Sequence, residues 1–329
     1  MTQRFRKFIV FNNPRSTHHQ LAESRLAELR RLYPDIPMMT IAVGKDGIEQ
    51  LKKAVAEEPH ALILIAGGDG TVNSVLSALL THEHLATAAR HTPILPMWGG
   101  NANDLAGMLN GFAFRSKLPS IIQEGSIVPI QPLECEIIAP GQLPQRYIAA
   151  CYISFGATAR AAELLNRTSH RTHKLRRLPI MATLRDIHKG VWAILTSPSF
   201  LFQEADREQR AYERAFINGS RMAQLEAFPV VLSDKQFLQR TFVRKQKPRS
   251  FIPRVQSSHH HAMNEAMATI TFSLKEPTWM QYDGEPLQLA TGTTVTISHH
   301  HGHFTALSTR LPRQKAKKKG RPEPNRLPD

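Results

Sequence analysis

Cysteine is almost absent: Cys135 and Cys151 are the only two in 329 residues, and they form no Cys-x-x-Cys pair. This excludes a disulfide framework and a thiolate zinc site, and because both sit in apolar strand-like stretches they are expected as buried thiols. Long hydrophobic runs are missing too. None approaches the roughly 20 residues needed to span a bilayer, so no segment is expected to cross a membrane. Residues 1–6 lead directly into the short strand-like Lys7-Phe8-Ile9-Val10-Phe11, which is too brief for the apolar core of a secretory signal. A cytoplasmic location is therefore expected. No internal repeat is visible, and low-complexity sequence is confined to a basic loop at 244–258 and to the C-terminal tail. Acidic residues are the scarcer charge, 27 against 42 Lys and Arg, giving a formal net charge of +15. Such a surface attracts polyanions, usually nucleic acid or anionic lipid headgroups, and composition alone does not separate the two.

The sequence is organised around the apolar run Ala61-Leu62-Ile63-Leu64-Ile65-Ala66, which ends in Gly67-Gly68-Asp69-Gly70-Thr71. Six consecutive apolar residues fit a parallel strand buried on both faces, and Val72, Val75, Leu76 and Leu79 then take up helical spacing. In the turn between them Gly67, Gly68 and Gly70, lacking Cβ atoms, can take positive φ and let backbone N–H groups approach an anion, while the following helix adds its positive end. Asp69 would be repelled by a polyphosphate unless it supports Mg²⁺ or accepts a proton, which points to catalysis rather than passive binding.

Residues 1 to about 110 alternate strand and helix signals, as an α/β domain with a parallel sheet does. Ala22, Leu26, Leu29 and Tyr33 mark one helix. Ile48, Leu51 and Val55 mark another, with Asp46 and Glu49 resembling a capping box. A further short strand at 93–97 opens into Trp98-Gly99-Gly100-Asn101-Ala102-Asn103-Asp104, a second polar turn that should share the sheet edge with the first. From about residue 128 strand signals dominate, including 133–139, 146–154, 211–218, 267–274 and 293–298. The exception is an amphipathic helix in which Ile180, Leu184, Ile187, Val191 and Ile194 form a stripe, expected to pack on the sheets or roof a cleft. The expected domains are 1–128, α/β and nucleotide-binding; 129–309, mainly β and substrate-binding; and 310–329, a disordered basic tail.

Four motifs in order resemble the diacylglycerol kinase catalytic domain family, with its bacterial lipid kinase and sphingosine kinase relatives: Asn12-Asn13-Pro14, Gly67-Gly68-Asp69-Gly70-Thr71, Asn103-Asp104 and Asp283-Gly284-Glu285. Gly156 and Asn218 look like further landmarks. The resemblance implies a phosphofructokinase-like parallel α/β domain followed by a β-sandwich, with ATP and Mg²⁺ in the cleft and a lipid alcohol as phosphoryl acceptor. It implies Asp69 and Glu285 as the catalytic carboxylates, without deciding which takes the proton, and Asp234 as a metal ligand. Asn12, Pro14, Gly67, Gly68, Gly70, Thr71, Asn73, Gly100, Asn103, Asp104, Asp283 and Gly284 would contact the nucleotide.

The chain departs from the family at the second turn, longer by about two residues, at Ser74 where a Glu is usual, and at Arg221-Met222-Ala223 and Lys235 where glycines are usual. Two residue-level alternatives stand beside these roles: Asp283-Gly284 as a simple hairpin turn, and Asp104 as a helix cap. His259-His260-His261 and His299-His300-His301 lack the spacing of a closed metal site. The rival readings are an NAD kinase, which shares the first glycine turn, and a nucleotide- or lipid-binding regulator that has lost catalysis. A nucleic-acid partner is not expected, since no base-stacking motif accompanies the charge. Peripheral contact with the anionic inner face of the membrane is expected through Arg244, Lys245, Lys247, Arg249 and Arg254, with the tail assisting. A homodimer is compatible with the sequence.

Overall fold

The computed structural model describes residues 4–58, 60–81, 83–97, 99–100, 103–111, 117–169, 179–218, 236–242 and 262–309. The first half runs β1 (Lys7–Asn12), α1 (His19–Leu32), β2 (Met38–Ala42), α2 (Lys45–Glu57), β3 (Ala61–Ala66), α3 (Asp69–Leu80), α4 (Glu83–Ala89), β4 (Ile94–Pro96), α5 (Asp104–Asn110), α6 (Leu118–Glu124) and β5 (Ser126–Ile130). In β1 and β3 successive side chains point to opposite faces. Ile9, Phe11, Ile63 and Ile65 enter one core with Val72, Val75 and Leu76 of α3, whereas Phe8, Val10, Leu62 and Leu64 enter a second with Leu26 and Leu29 of α1. Helices cover both faces, which is why every residue of β3 is buried.

The second half contains β6 (Leu133–Ile138), β7 (Gln145–Ala149), β8 (Tyr152–Gly156), α7 (Ala157–Ser169), α8 (Pro179–Thr196), β9 (Phe200–Glu204), β10 (Arg207–Ala211), β11 (Glu213–Ile217), β12 (Phe237–Phe242), β13 (Ala262–Met267), β14 (Thr269–Leu274), β15 (Thr278–Tyr282), β16 (Glu285–Leu289), β17 (Thr294–His299) and β18 (Phe304–Ser308). Two antiparallel sheets, ordered β10-β9-β14-β17-β6-β7 and β13-β12-β11-β8-β15-β16, enclose a phenylalanine-rich core of Phe155, Phe202, Phe216, Phe237 and Phe272. This is the β-sandwich. Both cysteines are free and buried, as expected.

Some local expectations give way. The helix after β2 begins at Lys45 behind Gly44 with no side-chain cap, so Asp46 lies inside the first turn and forms no capping box. The strand expected over 146–154 is two strands, β7 in one sheet and β8 in the other. The chain crosses between sheets at Ala150 and Cys151, whose N–H groups leave the ladder to reach the Asp283 carboxylate. The β18 strand returns to the first sheet, ordered β2-β1-β3-β4-β18-β5, running parallel to β4 and antiparallel to β5. A division at 128/129 falls inside β5.

The expected apolar stripe of α8 also sits differently. Ala193 and Ser197 are buried, while Val191 and Ile194 are exposed. The helix packs on its small residues and turns the described part of its apolar stripe outward.

Candidate active site

The two glycine turns meet at the carboxyl edge of the parallel sheet. A Cβ built on Gly100 would lie 2.5 Å from Gly68 Cα, and one on Gly99 would lie 2.5 Å from the Gly67 carbonyl oxygen. Two backbones therefore touch with no room for a side chain. Gly67, Gly68 and Gly70 do not use the positive φ open to them: none is among the positive-φ residues, and Gly68 has φ −86°. Close approach, rather than handedness, is what requires glycine here.

Asp69 opens α3 and reaches across to the second turn. The N–H groups of Asn103 and Asp104 donate to Asp69 Oδ2 and Oδ1, both at 2.9 Å. Asn103, in the left-handed region at φ 57°, accepts from the N–H groups of Gly99 at 3.2 Å and Gly100 at 3.0 Å, and donates to the Gly100 carbonyl at 2.6 Å. Burial, and then the nearby Asp104, push the Asp69 carboxyl up to about 7 in spite of these N–H donors. Asp104 is also raised by burial, opposed by a hydrogen bond with Tyr152.

The late acidic motif is both a hairpin and a bridge. Asp283 at φ 45° and Gly284 at φ 89° form the two-residue turn between β15 and β16, with Tyr282 paired to Glu285. The Asp283 carboxylate accepts from Ala150 at 2.6 Å and from Cys151 and Tyr152 at 2.9 Å, so it ties the hairpin to the crossing between sheets. Burial outweighs these donors and raises it to about 7. Glu285 then projects onto the first turn, where a Cβ on Gly70 would overlap its Oε1.

A cavity of about 280 Å³ opens there, lined by Asn13, Arg15, Ser16, Thr17, Val43, Gly68, Gly70, Thr71, Ser74, Gly100 and Glu285. A second, of about 370 Å³, is lined by Asp104, Tyr152, Ser154, Thr158, Glu213, Ala215, Ile217, Arg240, Phe242 and Gln281. One wall is a hydrogen-bonded row: Gln281 donates to Ser154 at 2.9 Å, Ser154 and Thr158 lie 2.8 Å apart, and Thr158 donates to Glu213 at 3.0 Å. Asp69 stands in sequence between Gly68 and Gly70, which line the first cavity, and its partner Asp104 lines the second.

Of the residues expected at the site, Gly68, Gly70, Thr71, Gly100 and Glu285 line the first cavity, and Asp104 lines the second. Gly67, Asp69 and Asn103 shape the turns behind them. Four others serve the framework instead. Asn12 donates to Glu23 at 2.7 Å, Asn73 donates to the Tyr282 carbonyl at 3.2 Å, and Asp283 and Gly284 build the hairpin. Pro14 is exposed and does not line the cavity. The neighbouring Asn13 does, donating to Thr71 Oγ1 at 3.0 Å. Asp234 and His259-His260-His261 lie outside the described residues. Arg15, Ser16 and Thr17 went unread; their signal was a polar stretch just beyond the carboxyl end of β1. Glu134, His300 and His301 cluster within 4.8 Å. The Gly302 N–H donates to His300 Nδ1 at 2.9 Å, leaving its Nε2 protonated, and Arg146 is 3.5 Å from Glu134, so the cluster is poorly arranged for a cation.

Paired glycine turns on a parallel sheet, closed by an acidic hairpin from a β-sandwich, define the class as a two-domain kinase fold. Residues 7–135 match the family model of the diacylglycerol kinase catalytic domain, a match that takes in Asn12-Asn13-Pro14, Gly67 to Thr71 and Asn103-Asp104 of the four motifs. No curated protein is matched by the chain. Among solved structures, a candidate diacylglycerol kinase from Bacillus anthracis str. Sterne is similar at 17% identity and TM-score 0.60, over 94% of this chain and 97% of that one. A second structure, described as a diacylglycerol kinase from the same strain, is similar at 14% identity and TM-score 0.55, over 93% and 98%. Yeast NADH kinase complexed with NADH is similar at 13% identity and TM-score 0.51, over 94% and 85%. These likenesses establish the fold. Together with the family domain, they support a kinase that uses a nucleotide.

Proposed function

We propose that this chain is an ATP-dependent lipid kinase that transfers the γ-phosphoryl group to the hydroxyl of a lipid such as diacylglycerol or a sphingoid base. One observation carries the reading: Asp69, between Gly68 and Gly70 of the first cavity, accepts the backbone N–H of Asp104, which lines the second, so one carboxylate links a cavity suited to a polyphosphate with one suited to an alcohol. The first has a glycine floor, the N-terminus of α3, the cation Arg15 and the carboxylate of Glu285. These groups fit phosphates together with a hard cation. Among the described residues the Glu285 side chain makes no hydrogen bond, and it would hold Mg²⁺, which when bound would neutralise phosphate charge.

Thr71, Arg15 and the turn N–H groups hold the phosphates in this reading. The row from Gln281 to Glu213, with Tyr152 and Arg240, orients the polar end of the acceptor. Asp69, with its affinity for a proton raised to about 7, takes the hydroxyl proton. The alcohol oxygen bonds to the γ-phosphorus as the β–γ bridging bond breaks, and ADP leaves.

Labelled ATP offered with dioctanoylglycerol micelles, sphingosine or NAD tests the proposal. Label in a lipid product supports it, and label in NADP alone would establish the nucleotide-acceptor reading that the NADH kinase fold likeness keeps in view. Glu285→Gln is expected to lose at least about a hundredfold in kcat and to need more Mg²⁺ for half-saturation. Wild-type behaviour of that variant would reduce Asp283-Gly284-Glu285 to a hairpin turn.

A further inference from the structure

From His188 onward the α8 helix is packed inside out. Its small residues face inward: Ala193 is fully buried, Ser197 is 1% exposed and donates to the Ala193 carbonyl, and Gly190 lies beside Leu165 of α7. Three large apolar residues of this part face outward, with Val191 at 38%, Trp192 at 61% and Ile194 at 42% exposure. A single exposed Leu or Val needs no explanation, but three within about one turn of helix, one of them Trp, form an unpartnered apolar ridge.

Charge decides what covers it. Lys189 flanks the ridge, and Arg185 lies one turn before it in sequence. Residues 170–178, which join α7 to α8, contain Arg171, Lys174, Arg176 and Arg177 and no acidic residue, and α8 itself has only Asp186. A second copy of a chain with net charge +15 would be repelled by this one. An anionic bilayer would be attracted to it. Trp is the side chain suited to the headgroup level, and apolar neighbours with flanking cations are the composition of a helix lying in the interface plane. Among the described residues no helix is long and apolar enough to cross a membrane.

We propose that the outward face of α8 docks the protein on anionic lipid bilayers, with Trp192, Val191 and Ile194 entering the interface and Lys189 meeting the headgroups. This deepens the lipid-kinase reading and rests on it only for why the enzyme visits a bilayer. It differs from attachment through the basic loop at 244–254, which lies outside the described residues.

Co-sedimentation with phosphatidylcholine vesicles, with and without phosphatidylglycerol, tests the docking without ATP. The triple variant V191Q/W192Q/I194Q is expected to bind phosphatidylglycerol vesicles at least about tenfold more weakly. Wild-type tryptophan emission should be quenched by acyl-chain-brominated lipid, and W192F should lose that quenching. Near-ultraviolet circular dichroism and turnover of monomeric dioctanoylglycerol should be unchanged in the triple variant, showing that its fold is intact. Unaltered vesicle binding by this variant would overturn the proposal. So would loss of binding only when the five loop cations become Gln, or a dimer that dissociates in the triple variant while vesicle binding persists. Vesicle binding without any lipid phosphorylation would sink the kinase reading alone, whereas phosphorylation of soluble lipid without vesicle binding would sink only the docking.

Discussion

Asp69 carries two functions on one carboxylate. Each oxygen accepts a backbone N–H of the second turn, and the same group is the proposed proton acceptor. Asp69→Asn is therefore not a purely electrostatic change, because its Nδ2 must face one of those N–H donors. The buried mismatch should cost about 1–3 kcal/mol in urea unfolding, along with the loss of phosphoryl transfer. An inactive variant of unchanged stability would mean that the clamp contributes little. The pH dependence separates the two functions. Since burial and then Asp104 raise Asp69 to about 7, its basic form accumulates as pH rises, and kcat should climb through about pH 7. Asp104→Asn removes the like charge while leaving its backbone N–H, so in whatever activity remains the climb should shift to lower pH. A kcat profile that stays in place would reject coupling between the two carboxyls.

At the scale of elements, the turn pair makes the sharpest prediction. Gly100→Ala drives a Cβ into Gly68 Cα, a contact with backbone that no rotamer relieves. It should cost about 1–3 kcal/mol and lower kcat/KM for ATP by at least about tenfold. Gly107→Ala, in α5 with nothing within 4 Å of its Cβ, should instead stabilise by up to about 1 kcal/mol, as measured by denaturant unfolding. The sequence made the first turn legible because a fully apolar strand ended in glycines, and β1, α1 and β3 were legible through their periods. It did not disclose the break at Ala150 and Cys151. That break is set by Asp283, whose carboxylate arrives from a hairpin more than a hundred residues later. Asn12 and Asn13 were indistinguishable for a similar reason: alternation puts one against Glu23 and the other against Thr71, and local sequence does not reveal which neighbour each face meets. The described end of the stripe on α8, Val191 and Ile194, lies on the outer face, because Gly190, Ala193 and Ser197 offered a closer packing surface than bulky side chains could.

Over the whole molecule, the two halves are joined at the site and again far from it. At the site, Asn73 of α3 holds the Tyr282 carbonyl and Glu285 lies on Gly70. Elsewhere, β18 fills the gap between β4 and β5 with Phe304, Ala306 and Leu307, all fully buried. It also anchors the far end of α5: Ser308 donates to the Leu109 carbonyl at 2.6 Å, and Asn110 donates to the Leu307 carbonyl at 3.2 Å while accepting from the Thr309 N–H at 2.8 Å. The N-terminus of that helix is what Asp69 grips, so the last strand supports the first turn through one short helix. A fragment of residues 1–135 spans the family match yet lacks β18. Its β5 would have no strand partner, β4 would become an open edge, and both cores would lose apolar area worth about 1.5–3 kcal/mol for each large side chain. That loss is a large share of the 5–15 kcal/mol typical of a domain. The fragment should aggregate or unfold without a cooperative transition, and joining residues 300–309 to it through a flexible linker should restore both cooperativity and nucleotide binding. If the fragment folds cooperatively and binds ATP without β18, the first half is autonomous, and the returning strand has no part in holding α5 against Asp69.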